Sequence, residues 1–242
     1  MTSPVAPITI EHHRTHPATW AVVLSAVLVA AVICGGVLVA LGGGEPPWQG
    51  LDDTWRARVG SAGPEDGILV AVVQQVGRWP GIGLVAGVLP VVLALRGRWR
   101  SGLYVILGYG VVPYVCCFVI KNLVDRPRPA LDSAAGLYGP LVAVDHGSYP
   151  SGHSIVVGSM VVAIAVMLPR GRPRWRAVRI LWIVAGAVLA GTMIWQRTLI
   201  NAHWFSDTVA GLVLGGSVAY LVWWGMAPWV VRQRPEVTGD AG

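Results

Sequence analysis

Six runs of almost wholly apolar residues set the pattern of the chain: Trp20–Leu41, Arg78–Leu95, Leu103–Ile120, Ser154–Leu168, Val178–Trp195 and Thr208–Val231. Crossing the hydrocarbon core of a bilayer takes about 20 apolar residues in a helix, and most of these runs approach that length. The fourth is short unless its helix begins at Pro150. The first, at 22 residues, exceeds the apolar stretch of a cleaved signal peptide, about 7–15 residues, so it predicts a retained span. Between the first two runs, Trp48, Leu51, Trp55 and Val59 recur at helical spacing with Asp52, Asp53, Arg56 and Arg58 among them. Segment 45–77 therefore predicts one or two amphipathic helices lying in a membrane interface. Gly83-x-x-x-Gly87 and Gly211-x-x-x-Gly215 are small-residue pairs of the kind that lets helices approach closely.

Composition agrees with a membrane protein. Of 242 residues 54% are hydrophobic and 12% charged, against about 25% charged in a soluble domain. The expectation is an all-α bundle of six transmembrane helices with interfacial helices. Residues 20–231 would form its single membrane-embedded domain, and segments 1–19 and 232–242 its cytoplasmic tails. The net charge of +6 does not signal nucleic acid, because the arginines lie in short loops between apolar runs. Arg96, Arg98 and Arg100, the group from Arg170 to Arg179, Arg232, Arg234 and Arg14 fall on one side of six alternating spans. That side is cytoplasmic by the positive-inside rule. Segments 42–77, 121–150 and 196–203 then face outward. Cys34, Cys116 and Cys117 all lie in apolar runs and read as small hydrophobes rather than a disulfide or metal framework.

Three polar stretches interrupt this pattern on the outer side: 121–129 (KNLVDRPRP), 149–153 (YPSGH) and 197–207 (RTLINAHWFSD). Charged groups at the ends of spans are costly and point to function. Lys121, the sole lysine, and Arg128 and Arg197 are cations suited to phosphate oxygens. Ser151 and Gly152 open the fourth helix, where first-turn N–H groups attract an anion, and Pro150 suits the first helical position. His153 beside them can exchange a proton near neutral pH. His203 and Asp207 are four residues apart, so one helical face would carry both. The carboxylate would orient one ring nitrogen and leave the other as a nucleophile. Asp125 and Arg126 read either as a local pair or as substrate contacts, and Asp145 and His146 as turn formers before Pro150. His12, His13 and His16 read as solvated tail residues without a metal.

Lys121…Arg128-Pro129, Pro150-Ser151-Gly152-His153 and Gln196-Arg197…His203…Asp207 resemble the three-part signature of the type 2 phosphatidic acid phosphatase (PAP2) superfamily. Its core is shared with vanadium-dependent haloperoxidases. Gln196 departs from that signature, which has serine there. The resemblance implies a six-helix membrane phosphatase of lipid phosphates or diphosphates that uses neither metal nor cofactor. By position, Lys121, Arg128, Arg197, Ser151 and Gly152 would bind the phosphoryl group. His203 would attack phosphorus, Asp207 would orient it, and His153 would protonate the leaving oxygen. The substrate would be a polyprenyl diphosphate, phosphatidylglycerophosphate or phosphatidic acid, hydrolysed on the outer face of a bacterial plasma membrane. A non-catalytic lipid-phosphate binder or flippase is the alternative.

Overall fold

The computed structural model describes residues 18–63, 68–142, 147–169 and 173–232. The tail histidines, Asp145, His146, Arg14, Arg170, Arg172 and Arg234 lie outside these described residues. Within them the chain is helical, with no strand and one isolated bridge between Asp132 and Leu137. The helices are α1 (Thr19–Leu41), α2 (Gln49–Val59), α3 (Ile68–Val76), α4 (Trp79–Leu95), α5 (Trp99–Leu123), α6 (Gly152–Met167), α7 (Pro173–Leu199) and α8 (Phe205–Val231). Among the described residues α1, α5, α7 and α8 are long and apolar enough to cross a membrane, whereas α4 and α6 are apolar but shorter. Each apolar run lies on one of these six helices.

Local chemistry sets several boundaries. α5 stops at Leu123 because Arg126 and Arg128 each precede a proline, which disfavours helical backbone. Gly60, at φ 76°, ends α2, and Asn201, at φ 52°, turns the chain after α7; glycine and asparagine tolerate that left-handed region best. α4 and α5 each contain a π-helical stretch, Gly83–Val88 and Ile106–Val111. Pro90 and Pro113 follow these stretches within two residues. A proline lacks the N–H for the regular ladder and crowds the preceding turn, and the wider turn accommodates it.

α6 and α8 form the centre. A Cβ on Gly211 or Gly215 would sit 2.4 or 2.2 Å from the carbonyl oxygens of Ser151 and Ile155, and one on Gly158 2.2 Å from that of Leu212. The two backbones touch, so only glycine fits. Gly83 and Gly87 have nothing within 4 Å of a built Cβ, so that pair packs against no neighbour. α1 closes one side, its Val32 and Val39 packing with Cys117, Leu214 and Val218. α7 presents Ile180, Leu181, Ile183, Val184 and Val188 outward, an apolar surface of the kind a bilayer covers. Cys34 also faces outward, while Cys117 is buried.

α2 and α3 confirm helices in segment 45–77, with a different face buried from the one the spacing suggests. Asp52 is fully buried and Leu51 is 56% exposed, because Asp52 faces a buried arginine.

Candidate active site

The site lies at one end of α5, α6, α7 and α8, where the three polar stretches meet. Lys121, in the last turn of α5, donates from Nζ to the Gly147 carbonyl at 2.7 Å. Arg128 donates to the same carbonyl at 3.4 Å and to the carbonyl of Ala202. Lys121 and Arg128 therefore flank the turn before α6, and Arg128 also reaches the loop that carries His203.

Ser151 is the N-cap of α6, its Oγ accepting from the Ser154 N–H. Pro150 is thus outside the helix rather than at its first position, since the cap must adopt extended backbone. The Ser151 N–H donates to the Asp207 carbonyl at 3.0 Å, which ties the start of α6 to α8. A Cβ on Gly152 would meet only Cys117 Sγ, at 3.8 Å. Packing does not demand glycine there, and close approach of a ligand to the first-turn N–H groups remains a reason for it.

Arg197 is buried in the last turn of α7, and its Nε and Nη1 have no hydrogen-bond partner. A buried guanidinium with unspent donors fits an anion. Gln196 beside it is fully buried. The His203 N–H donates to the Arg197 carbonyl at 3.3 Å, so cation and imidazole share one turn of chain.

The His203 ring is 4% exposed. Burial above all, then the charges of Lys121, Arg197 and Arg128, holds its pKa well below the ordinary histidine value and outweighs the opposing bond to Ser148. The ring is neutral at physiological pH. Its Nδ1 lies 2.7 Å from the Ser148 carbonyl, which can only accept, so Nδ1 carries the proton and Nε2 the lone pair. The sequence suggested Asp207 for this orienting bond. Ser148 makes it instead, while Asp207 Oδ2 stands 3.8 Å from Nδ1. Asp207 is engaged elsewhere: Oδ2 accepts the Trp204 N–H at 2.9 Å, capping α8, and Oδ1 accepts from Arg126 at 2.6 Å.

Arg126 is neither paired with Asp125 nor exposed to a substrate. It is fully buried and bridges Asp207 to Asp52, at 2.7 Å, with Gln49 Oε1 at 2.6 Å and Ser206 Oγ at 2.9 Å. Asp52 also accepts from the Ser206 N–H and Oγ, both at 2.7 Å. One buried guanidinium donates to two buried carboxylates, the kind of pairing under which buried charge is tolerated. Asp52, Gln49 and Ser148 escaped the sequence reading. The one available signal was the additional arginine, Arg126, on a face where positive charge is scarce.

His153, on the first turn of α6, packs so tightly on Gly77 that a Cβ there would fall 2.3 Å from its ring. Its Nε2 is buried without a partner. Arg197 and His203 both act on it electrostatically, so the two imidazoles and Arg197 belong to one cluster. Among the described residues no three His, Cys, Asp or Glu side chains are grouped as a metal requires.

Known proteins resemble this chain in fold or over part of its sequence. A transmembrane PAP2 type phosphatidylglycerolphosphate phosphatase from Bacillus subtilis matches 84% of this chain and 92% of its own at a TM-score of 0.55 and 20% identity, which establishes a common fold. The phosphatidylglycerophosphatase B of Bacillus subtilis is 30% identical over 130 residues, 52% of this chain and 58% of that protein. A lipid A 1-phosphatase of Rhizobium etli is 32% identical over 101 residues, 40% and 39% of the two chains. An undecaprenyl-diphosphatase of Sulfolobus acidocaldarius is 31% identical over 74 residues, 31% of each. Each curated relative is matched over less than two thirds of its length. The family model for the PAP2 superfamily matches residues 99–230, more than half the chain, and this stretch carries all three polar motifs: the chain belongs to the PAP2 superfamily.

Proposed function

We propose that this chain is a six-span membrane phosphatase that hydrolyses a lipid phosphate or diphosphate on the outer face through a phosphohistidine at His203. One observation carries the reading: a neutral His203 whose Nε2 lone pair is left available by the Nδ1–Ser148 bond, among the charges of Lys121, Arg128 and Arg197. The homologues named lipid phosphatases and diphosphatases support the same class.

In this mechanism the three cations and the first turn of α6 hold the phosphoryl oxygens. Phosphoryl transfer depends mainly on such positioning and charge stabilisation, and a fixed cation about 4 Å from an anion supplies about 4 kcal/mol at an effective dielectric constant of 20. Nε2 of His203 forms the N–P bond while the bond to the leaving oxygen breaks. Asp207 compensates the charge that develops on the ring. His153 gives a proton to an alkoxide leaving group and takes one from the water that cleaves the N–P bond. The arginine distribution supports cytoplasmic termini and an outward site.

The test is phosphate release from lipid monophosphates and diphosphates by detergent-purified protein, with and without EDTA, and acid-quench trapping of a phosphohistidine. Wild type should release phosphate in EDTA and yield an acid-labile phosphoprotein. His203→Ala should fall to a thousandth of wild-type turnover or about that while still binding orthophosphate. Full turnover by His203→Ala would defeat the nucleophile assignment. Binding without release by wild type would favour a non-catalytic carrier.

A further inference from the structure

Arg78 lies outside the three polar motifs, yet the chain brings it next to the residue packed on His153. It is exposed at the turn between α3 and α4, directly after Gly77, which packs face to ring against His153. Gln74 ties the two together. Its backbone hydrogen-bonds the His153 ring, and its side-chain oxygen, turned toward Arg78, accepts from Nη2 at 3.1 Å and Nε at 3.3 Å. Arg78 is near enough for its charge to act on both His153 and Arg197. The cations acting most on His203 are Lys121, Arg197 and Arg128. Lys121 and Arg128 thus act on His203, Arg197 on both imidazoles, and Arg78 on His153.

We infer that Arg78 is the residue that binds the second, lipid-bearing phosphate of a diphosphate substrate, so that the site is built for lipid diphosphates over lipid monophosphates. This rests on the phosphatase reading above. In-line attack from the His203 end sends the leaving group toward the His153 end. A lipid alcohol would leave there as an alkoxide and would need a proton as the bond breaks. A lipid monophosphate leaves as an anion stable at neutral pH, and what it needs is a cation. Moreover, Nε2 of His153 is buried without a partner, and it can take a proton from water in the second step.

The steps balance without a further reactant. The Nε2 pair of His203 forms the N–P bond. The pair of the broken P–O bond stays on the bridging oxygen, which departs as an anionic oxygen of the lipid monophosphate beside Arg78. Water then adds to phosphorus, its proton passes to His153, the N–P pair returns to His203, and orthophosphate is released.

The experiment compares farnesyl diphosphate with farnesyl monophosphate, which share a tail, on wild type, Arg78→Ala and Arg78→Lys. Arg78→Ala should lose at least tenfold more kcat/KM on the diphosphate than on the monophosphate, a difference of about 1.4 kcal/mol, and Arg78→Lys should restore most of it. Equal losses on both substrates would overturn the proposal. In parallel, titration calorimetry with inorganic pyrophosphate and orthophosphate should show wild type preferring pyrophosphate about tenfold and Arg78→Ala erasing that preference. A preference that persists in Arg78→Ala, or is absent from wild type, overturns it even where no turnover occurs. Pyrophosphate preference that depends on Arg78, in a wild type that releases no phosphate from either lipid, would sink the phosphatase reading and leave the Arg78 subsite standing.

Discussion

Arg126 holds the most consequential contacts of any single residue. Its guanidinium pairs with both Asp52 and Asp207, and all three side chains are fully buried. Removing one member of such a set leaves an uncompensated buried charge, which costs about 3–5 kcal/mol. Asp52→Ala should therefore lower the thermal midpoint in detergent by well over the shift of a surface substitution. It should also reduce turnover, because Asp207 would be left as the only carboxylate paired with Arg126. Asp52→Asn keeps the shape and an acceptor oxygen and should lose less on both counts. Equal stability of Asp52→Ala and wild type would mean that Arg126 finds its compensation elsewhere. At this scale the sequence was legible for the residues it named: Lys121, Arg128, Ser151, His153, Arg197, His203 and Asp207 all come to one end of the bundle. It was silent on Ser148, since any residue can offer a main-chain carbonyl, and on Asp52, which looked like the polar face of an interfacial helix.

Helices show a different limit. The pairs Gly83/Gly87 and Gly211/Gly215 are identical in spacing, and spacing reports small residues without reporting a neighbour. The structure separates them: Gly215 touches the Ile155 carbonyl of α6, and Gly87 touches nothing. Gly215→Val forces backbone against backbone and should cost about 1–3 kcal/mol or more, with loss of activity because α6 carries Ser151 and His153. Gly87→Ala meets no clash and removes a poor helix former, so it should be neutral or stabilising by up to about 1 kcal/mol. Thermal unfolding of the two purified variants checks both. Helix existence was legible from apolar runs, whereas the π-helical turns before Pro90 and Pro113 were not, because they arise from how each proline is accommodated inside a continuing helix.

For the whole molecule, arginine asymmetry supports the proposed orientation, with cytoplasmic termini and an outward site. In intact cells with the native cysteines replaced, Ser133→Cys, on the exposed turn between α5 and α6, should react with a membrane-impermeant maleimide. Arg96→Cys, at the opposite end, should react only after the membrane is opened. The reverse pattern would invert the topology. The all-helical fold was legible because the apolar runs are long. The lengths of α4 and α6 were not, since their ends depend on packing and capping rather than on hydropathy.

Leu51 points away from the protein while its neighbour Asp52 grips Arg126. A surface helix anchored in this way cannot tilt or lift without dragging the carboxylate that stands 3.8 Å from His203. A bilayer load that moved α2 would thus be passed, through Arg126, to the Asp207 carboxylate beside the His203 ring.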